Sequence, residues 1–90
     1  MAQVIVNPKD QRAFAQELEQ IVGVVREKER RLDQGMQELK ATWADERYRR
    51  FSKAVKAASD QLRIFYGTST RYTQFLREKA AAAERYLGGS

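Results

Sequence analysis

The side chains that could perform acid–base or ligand chemistry in this 90-residue chain are carboxylates, lysines and tyrosines, because histidine and cysteine are absent. Without those two residue types, the usual zinc sites and the Ser-His and Cys-His catalytic arrangements cannot form. The Glu-x-x-His pair of a carboxylate di-metal bundle is also missing. We therefore predict no catalytic residue, no metal ligand and no cofactor, and a protein that is not an enzyme.

The tyrosines are the remaining candidates for proton donors. Tyr48 and Tyr72 fall at the heptad-like spacing of the apolar residues around them, which is typical of core or interface positions occupied by an amphipathic ring. We interpret both as packing residues, so no catalytic site emerges from the tyrosines.

The net charge of +5 is concentrated in the second half of the chain. Residues 8–41 hold seven basic and seven acidic side chains, whereas residues 42–90 hold ten basic and five acidic ones. This segment could bind phosphates or an acidic protein surface, or form an ordinary solvated helix face, and no recognised base-reading motif accompanies it. The candidate anion-binding residues are Arg47, Arg49, Arg50, Lys53, Lys56 and Arg63.

The composition favours an all-α protein. The chain is 42% hydrophobic and 32% charged and has a single proline, which is the profile of a helix-rich protein. Asn7 is a good N-cap, Pro8 suits the first helical position, and Asp10 meets the positive end of the helix dipole. We predict an extended arm over residues 2–6 and a first helix over about residues 8–41.

Two stripes of apolar residues at alternating three- and four-residue steps predict two long helices. Between the stripes, Thr42 followed three residues later by Asp45 resembles a helix-start cap. We predict a turn over about residues 42–45 and a second helix over about residues 45–87. The first stripe is Phe14, Leu18, Ile21, Val25, Leu32, Met36, Leu39 and Trp43, and the second is Tyr48, Phe51, Val55, Ala58, Leu62, Phe65, Ser69, Tyr72, Leu76, Ala80, Ala83 and Leu87.

These elements predict one domain over residues 1–90, an antiparallel hairpin of two long helices. The alternative is a single uninterrupted helix of roughly 80 residues in a long coiled coil. If the chain folds back near Trp43, large residues of the two stripes, such as Phe14 and Tyr72, would face each other across the seam between the helices. In that register the arm would lie along the alanine-rich end of the second helix, which otherwise overhangs the first.

Apolar residues beside the stripes predict a partner. Two helices bury one stripe each, and three of the extra residues, Ile64, Phe75 and Tyr86, recur at 11-residue steps and so share one flank. We predict that two hairpins dimerise into a four-helix bundle, with scattered surface hydrophobes as the alternative interpretation. The candidate interface residues are Val22, Val24, Ile64, Phe75 and Tyr86.

The centre of the chain resembles a known family. The run Leu39-x-x-x-Trp43-x-Asp45, with Phe51 eight residues after the tryptophan, is similar to the WXG superfamily of small helical hairpins, over nearly the whole chain. Members of that family join two antiparallel helices through a Trp-x-Gly turn, pack the following aromatic in the seam and form homo- or heterodimers. The resemblance assigns the turn to Trp43 and the seam aromatic to Phe51, while Asp45 stands in the position of the glycine.

Many WXG proteins are bacterial substrates or partners of type VII secretion, so the resemblance implies a role of that kind. The export signal of the family, a tyrosine with an acid four residues later, is not found at any of the four tyrosines. If the resemblance holds, a dimer partner would have to supply the export signal.

We predict a non-enzymatic protein–protein interaction module that forms a homo- or heterodimer and acts as a secretion-system substrate or adaptor. The alternative is a small basic helical protein that binds nucleic acid or another anionic surface through its second helix. The longest apolar run near the N-terminus, Val4-Ile5-Val6, is too short for a signal-peptide core or a membrane span. We expect a cytoplasmic protein without membrane insertion, or one secreted without a cleaved signal peptide.

Overall fold

In the computed structural model, residues 7–43 and 45–88 are described. These residues form two helices, α1 (Pro8–Lys40) and α2 (Glu46–Gly88), which pack against each other in an antiparallel hairpin 65 Å long, and they contain no strand. The predicted all-α hairpin is confirmed, and the single uninterrupted helix is excluded. The predicted arm over residues 2–6 lies outside the described residues.

The start of α1 is fixed by the residues that the sequence predicts. The Asn7 side chain accepts hydrogen bonds from the backbone N–H groups of Lys9 (3.0 Å) and Asp10 (3.2 Å), which have no acceptor within the helix. Pro8 occupies the first turn, where its missing N–H costs no helical hydrogen bond. The helix therefore cannot begin earlier without losing its cap.

The start of α2 is capped by Asp45 and not by Thr42. The Thr42 hydroxyl donates back to the carbonyl oxygen of Leu39 at 3.4 Å, whereas the Asp45 carboxylate accepts a hydrogen bond from the N–H of Tyr48 at 3.1 Å. A glycine, as in the WXG pattern, has no side-chain acceptor for this N–H. The aspartate thus gives α2 a defined first turn.

Small and polar side chains form most of the seam between the helices. Ala15 and Ala80 are completely buried, at 0% exposure. Among the described residues, no large side chain is fully enclosed. The hairpin by itself therefore removes little apolar surface from water. The other buried residues are Met36, Tyr48, Ser59, Tyr66, Ser69 and Thr73.

Near the turn, the contact of Tyr48 with Met36 agrees with a fold-back near Trp43, but side-chain contacts toward the open end are offset from the predicted register. Arg77 pairs with Glu19, whereas pairing Phe14 with Tyr72 would place Gly67 opposite Glu19. Part of this offset arises because side chains of both helices tilt toward the N-terminus of their own helix. An ion pair between Arg12 and Glu84 shows that the start of α1 lies beside the last turns of α2.

We expect Asp45→Ala to lower the free energy of unfolding by about 1 kcal/mol, because the first turn of α2 loses its acceptor. Urea unfolding followed by circular dichroism at 222 nm measures the loss. Thr42→Ala, the matched truncation in the same turn, should change stability by less than about 0.5 kcal/mol. Equal losses for the two variants would show that Asp45 is not the cap.

Candidate functional site

Large apolar side chains are exposed along one side of the seam. In α1, Phe14 directly precedes the buried Ala15, and in α2, Phe65 directly precedes the buried Tyr66. One residue is a rotation of about 100°, so these side chains lie beside the seam and not within it. The set, which we call the apolar face, has exposed fractions between 37 and 59% and consists of Phe14, Ile21, Leu32, Leu39, Phe51, Phe65 and Tyr72.

Both helices turn these residues to the same side of the hairpin. In each helix the apolar residues stand on the same rotational side of the seam. Two antiparallel helices are related by a twofold axis perpendicular to the plane that contains them, and that rotation leaves a side chain on its own side of the plane. The residues from α1 and α2 therefore lie on one side of the hairpin. Lys28 continues the seven-residue row of Phe14 and Ile21, and Lys79 continues that of Phe65 and Tyr72.

The opposite face is polar, and ion pairs between α1 and α2 cross it. The Nε of Arg12 donates to both carboxylate oxygens of Glu84 at 3.1 Å, and Arg77 donates to Glu19. These hydrogen bonds lower the pKa of both carboxyls below the ordinary value. We call this side the polar face, and its charged groups bind each other within the chain.

Tyr66 lies at the centre of the polar face. Its hydroxyl donates to Oε1 of Glu29 at 2.8 Å, and the guanidinium carbon of Arg26 lies 4.4 Å from its ring centroid. The hydrogen bond from Tyr66 lowers the pKa of the Glu29 carboxyl, and desolvation raises the pKa of the Tyr66 hydroxyl. The ring therefore joins both helices through its polar edge and through its face.

The candidate interface residues divide between the two faces. Val22 is half-buried and lines a groove on the polar face with Glu19 and Arg77. Val24 and Phe75 are exposed at the outer edges of the apolar face. Their place in an interface stays a prediction, and the two remaining candidates, also exposed, are Ile64 and Tyr86.

The signature residues lie at the turn and beside it. The half-buried Trp43 packs edge-on against Tyr48, with ring centroids 5.9 Å apart, and the Tyr48 hydroxyl donates to the carbonyl oxygen of Met36 at 3.2 Å. This contact holds the end of α1 to the first turn of α2. Phe51 is 46% exposed, so it lies on the apolar face and not in the seam that the resemblance implies.

Half of the candidate anion-binding residues already have acidic partners on their own helix. Arg49 and Arg50 lie 3.5 and 3.7 Å from the carboxylate of Glu46, and Arg63 lies 2.7 Å from that of Asp60. Within residues 7–43 and 45–88, no ion pair involves the other three, which are exposed. The uncompensated cations of this segment are Arg47, Lys53 and Lys56.

The predicted stripes lack several seam residues that are small or polar, although they contain Met36, Tyr48, Ser69 and Ala80. Ala15, Val22, Glu29 and Met36 follow one another at seven-residue steps in α1, and Ser59, Tyr66, Thr73 and Ala80 do so in α2. A seven-residue repeat keeps side chains facing a partner helix. The repeat could have been found from spacing alone, whereas a search for hydrophobic residues selects the neighbouring positions.

Comparison with protein-family models, curated proteins and solved structures finds no match for this chain. The resemblance to the WXG superfamily therefore stays a prediction that rests on Trp43, Asp45 and Phe51. In the described part of the chain, no group of three or more acidic side chains could hold a metal ion. Neither of its helices combines the length and apolarity that a membrane span requires.

We expect the free energy of unfolding to decrease as the pH falls below about 4.5. The folded-state pKa of Glu29 is lowered from its ordinary value of 4.5, so its contribution is present above that value and is lost as the pH falls through the folded-state pKa. Glu29→Gln should therefore reduce both the stability at pH 7 and the loss on acidification, measured by urea unfolding between pH 7 and pH 3.

Glu38→Gln is the matched control, because it removes an exposed carboxylate that has no ion pair among the described residues. This variant should follow the pH profile of the unmodified chain. If Glu29→Gln also followed that profile, its hydrogen bond with Tyr66 would make no contribution to stability.

Proposed function

We propose that this chain is a non-enzymatic protein–protein interaction module whose apolar face binds a second helical hairpin, either its own copy or a homologous one. The observation that carries the proposal is the exposure of seven large apolar side chains on one side of the hairpin, beside a seam that buries little apolar surface. Covering that face with two more helices would produce a four-helix bundle, in which each helix buries a wide apolar stripe.

The size of the apolar face supports this proposal. Its residues are about half exposed, and aromatic side chains have roughly 200 Å² each, so the face leaves roughly 600 Å² of apolar surface in water. Monomeric soluble proteins rarely expose contiguous apolar patches larger than a few hundred Å², and larger ones mark interaction sites. At about 25 cal/mol per Å², covering this area contributes about 15 kcal/mol before the costs of association.

The more specific role, a substrate or adaptor of type VII secretion, is supported by the resemblance at Trp43 and Phe51. A dimer partner would have to supply the export signal that the tyrosines of this chain lack. The interaction module itself does not depend on that role.

We expect the purified chain to elute as a species heavier than 10.4 kDa at both low and high salt, because apolar contacts hold it together. Ile21→Lys combined with Phe65→Lys should shift the mass to that of the monomer, since each change puts a charge in the middle of the apolar face. Size exclusion with light scattering measures the mass.

The matched control is Gln34→Lys combined with Gln74→Lys, which adds the same charge at exposed positions of α1 and α2 away from the apolar face. The control should keep the mass of the unmodified chain. Two results together would contradict the proposal. The unmodified chain would be a helical, cooperatively folded monomer, and Ile21→Lys combined with Phe65→Lys would leave its stability unchanged. A monomer with little helix would instead indicate that the chain needs a homologous hairpin as its partner in order to fold.

The second candidate function is binding to nucleic acid or another anionic surface. It is favoured by the three exposed cations near the start of α2 that have no ion pair in the described chain, Arg47, Lys53 and Lys56. This function predicts that Arg47→Glu, Lys53→Glu and Lys56→Glu together abolish binding to duplex DNA and leave folding intact. Fluorescence anisotropy at increasing salt is the measurement, and an affinity that does not depend on salt would count against it.

A further inference from the structure

We propose that the occupant of the apolar face is a second copy of this chain, related by a twofold axis parallel to the length of the hairpin. This axis places both turns at the same end, with α1 of each copy against α2 of the other. The inference rests on the proposed function and adds to it the identity and orientation of the partner.

The area of the apolar face fits a self-contained dimer. With Val24 and Phe75, which are 55% and 50% exposed at its outer edges, the face exposes roughly 800 Å² of side chain, taking roughly 150–200 Å² for each residue. A standard stable interface buries about 800 Å² on each partner. Two copies joined through this face would therefore reach the standard size without any further chain.

Charges at the edges of the apolar face complement each other between two copies. The ion pair of Glu19 with Arg77 shows that the ends of these side chains meet across the hairpin. Glu17 and Lys79 are each two residues nearer the open end and tilt in the same directions, so the ends of their side chains also reach one level. Glu17 lies on the outer edge of α1, and the ammonium of Lys79 lies 5.6 Å from the ring centroid of Phe75 at the outer edge of α2. Neither has an ion pair among the described residues. A twofold axis along the hairpin brings Glu17 of each copy next to Lys79 of the other.

Apolar residues at the same edges also meet in this arrangement. Val24 follows Glu19 by five residues and Tyr72 precedes Arg77 by five, so Val24 lies near Tyr72 along the hairpin, and Phe75 is within one turn of Tyr72. The outer edge of α1 in one copy faces the outer edge of α2 in the other. In the dimer, Val24 of one copy thus packs near the rings of Tyr72 and Phe75 of the other, and Glu17 of one copy lies near Lys79 of the other. Apolar groups meet apolar groups, and opposite charges meet.

The opposite orientation, with the turns at opposite ends, is disfavoured by charge. It would pack α1 against α1 and α2 against α2. The half of the chain that contains α2 holds ten basic and five acidic residues, so that arrangement brings two helices of the same net charge together. It also separates Glu17 from Lys79, leaving both without the partner that the same-end arrangement supplies.

Charge reversal tests the proposed contact. Glu17→Lys and Lys79→Glu should each weaken the dimer about tenfold, because each reversal places like charges together at two symmetric positions. The double variant should restore the affinity, since it re-forms both pairs with exchanged signs. Gln34→Lys, which adds a positive charge to α1 away from the apolar face, should leave the affinity unchanged. Failure of the double variant to restore the affinity would overturn the contact.

The orientation is tested by one spin label on each chain. The protein has no cysteine, so Thr42→Cys at the exposed turn gives a single attachment site. Double electron–electron resonance should give a distance below about 30 Å, because neighbouring helices of a bundle lie about 10 Å apart. Turns at opposite ends would give about 50 Å, the length of a 33-residue helix at about 1.5 Å per residue.

A distance near 50 Å between the two spin labels would overturn the proposed orientation. A monomeric chain without a dipolar signal would overturn the proposal that a second copy occupies the apolar face. Either result would leave the proposed function in place, because the apolar face could still bind a homologous hairpin. The proposed function fails separately, if Ile21→Lys with Phe65→Lys changes neither the mass nor the stability of a well-folded monomer. A short distance together with restored affinity in the charge-exchanged double variant would support the inference.

Discussion

The close packing of small side chains in the seam is the constraint on which the rest of the hairpin depends. Ala15 and Ala80 have no exposed surface, and Ser59, Ser69 and Thr73 are also buried. Small residues at seven-residue steps let the two helices approach, and a few larger side chains, Met36, Tyr48 and Tyr66, fill the rest of the seam. The large apolar residues stand one position away and are displaced onto the surface, where they form the apolar face.

The polar face and the apolar face of the hairpin consequently differ in what they contribute to its stability. On the polar face, Arg12 with Glu84 and Arg77 with Glu19 join the helices, but exposed ion pairs contribute little to stability. The contact of Trp43 with Tyr48 fixes the turn end. These interactions set the register and the direction of the chain, whereas most of the apolar surface that could stabilise the structure is still exposed. That imbalance is the observation that supports the proposed binding function.

The basic residues of α2 illustrate why charge alone is a weak guide to function. Arg49, Arg50 and Arg63 each have a carboxylate three or four residues away on the same helix, a spacing that neutralises part of their charge locally. The apolar face has no such internal compensation. An exposed charge is solvated by water, but an exposed phenylalanine lowers the free energy only when another apolar surface covers it.

Local sequence determined where the helices begin and that the chain is helical, because caps and propensities act over a few residues: Asn7 and Pro8 start α1 as predicted. It also determined that the chain folds back near Trp43. The sequence did not determine which side of each stripe becomes the seam, since Phe65 and Tyr66, or Phe14 and Ala15, differ by only one position. Only the docking of the two helices decided that choice, because the close approach of their axes turns Ala15 and Ala80 inward and leaves the neighbouring large residues, such as Phe14, exposed.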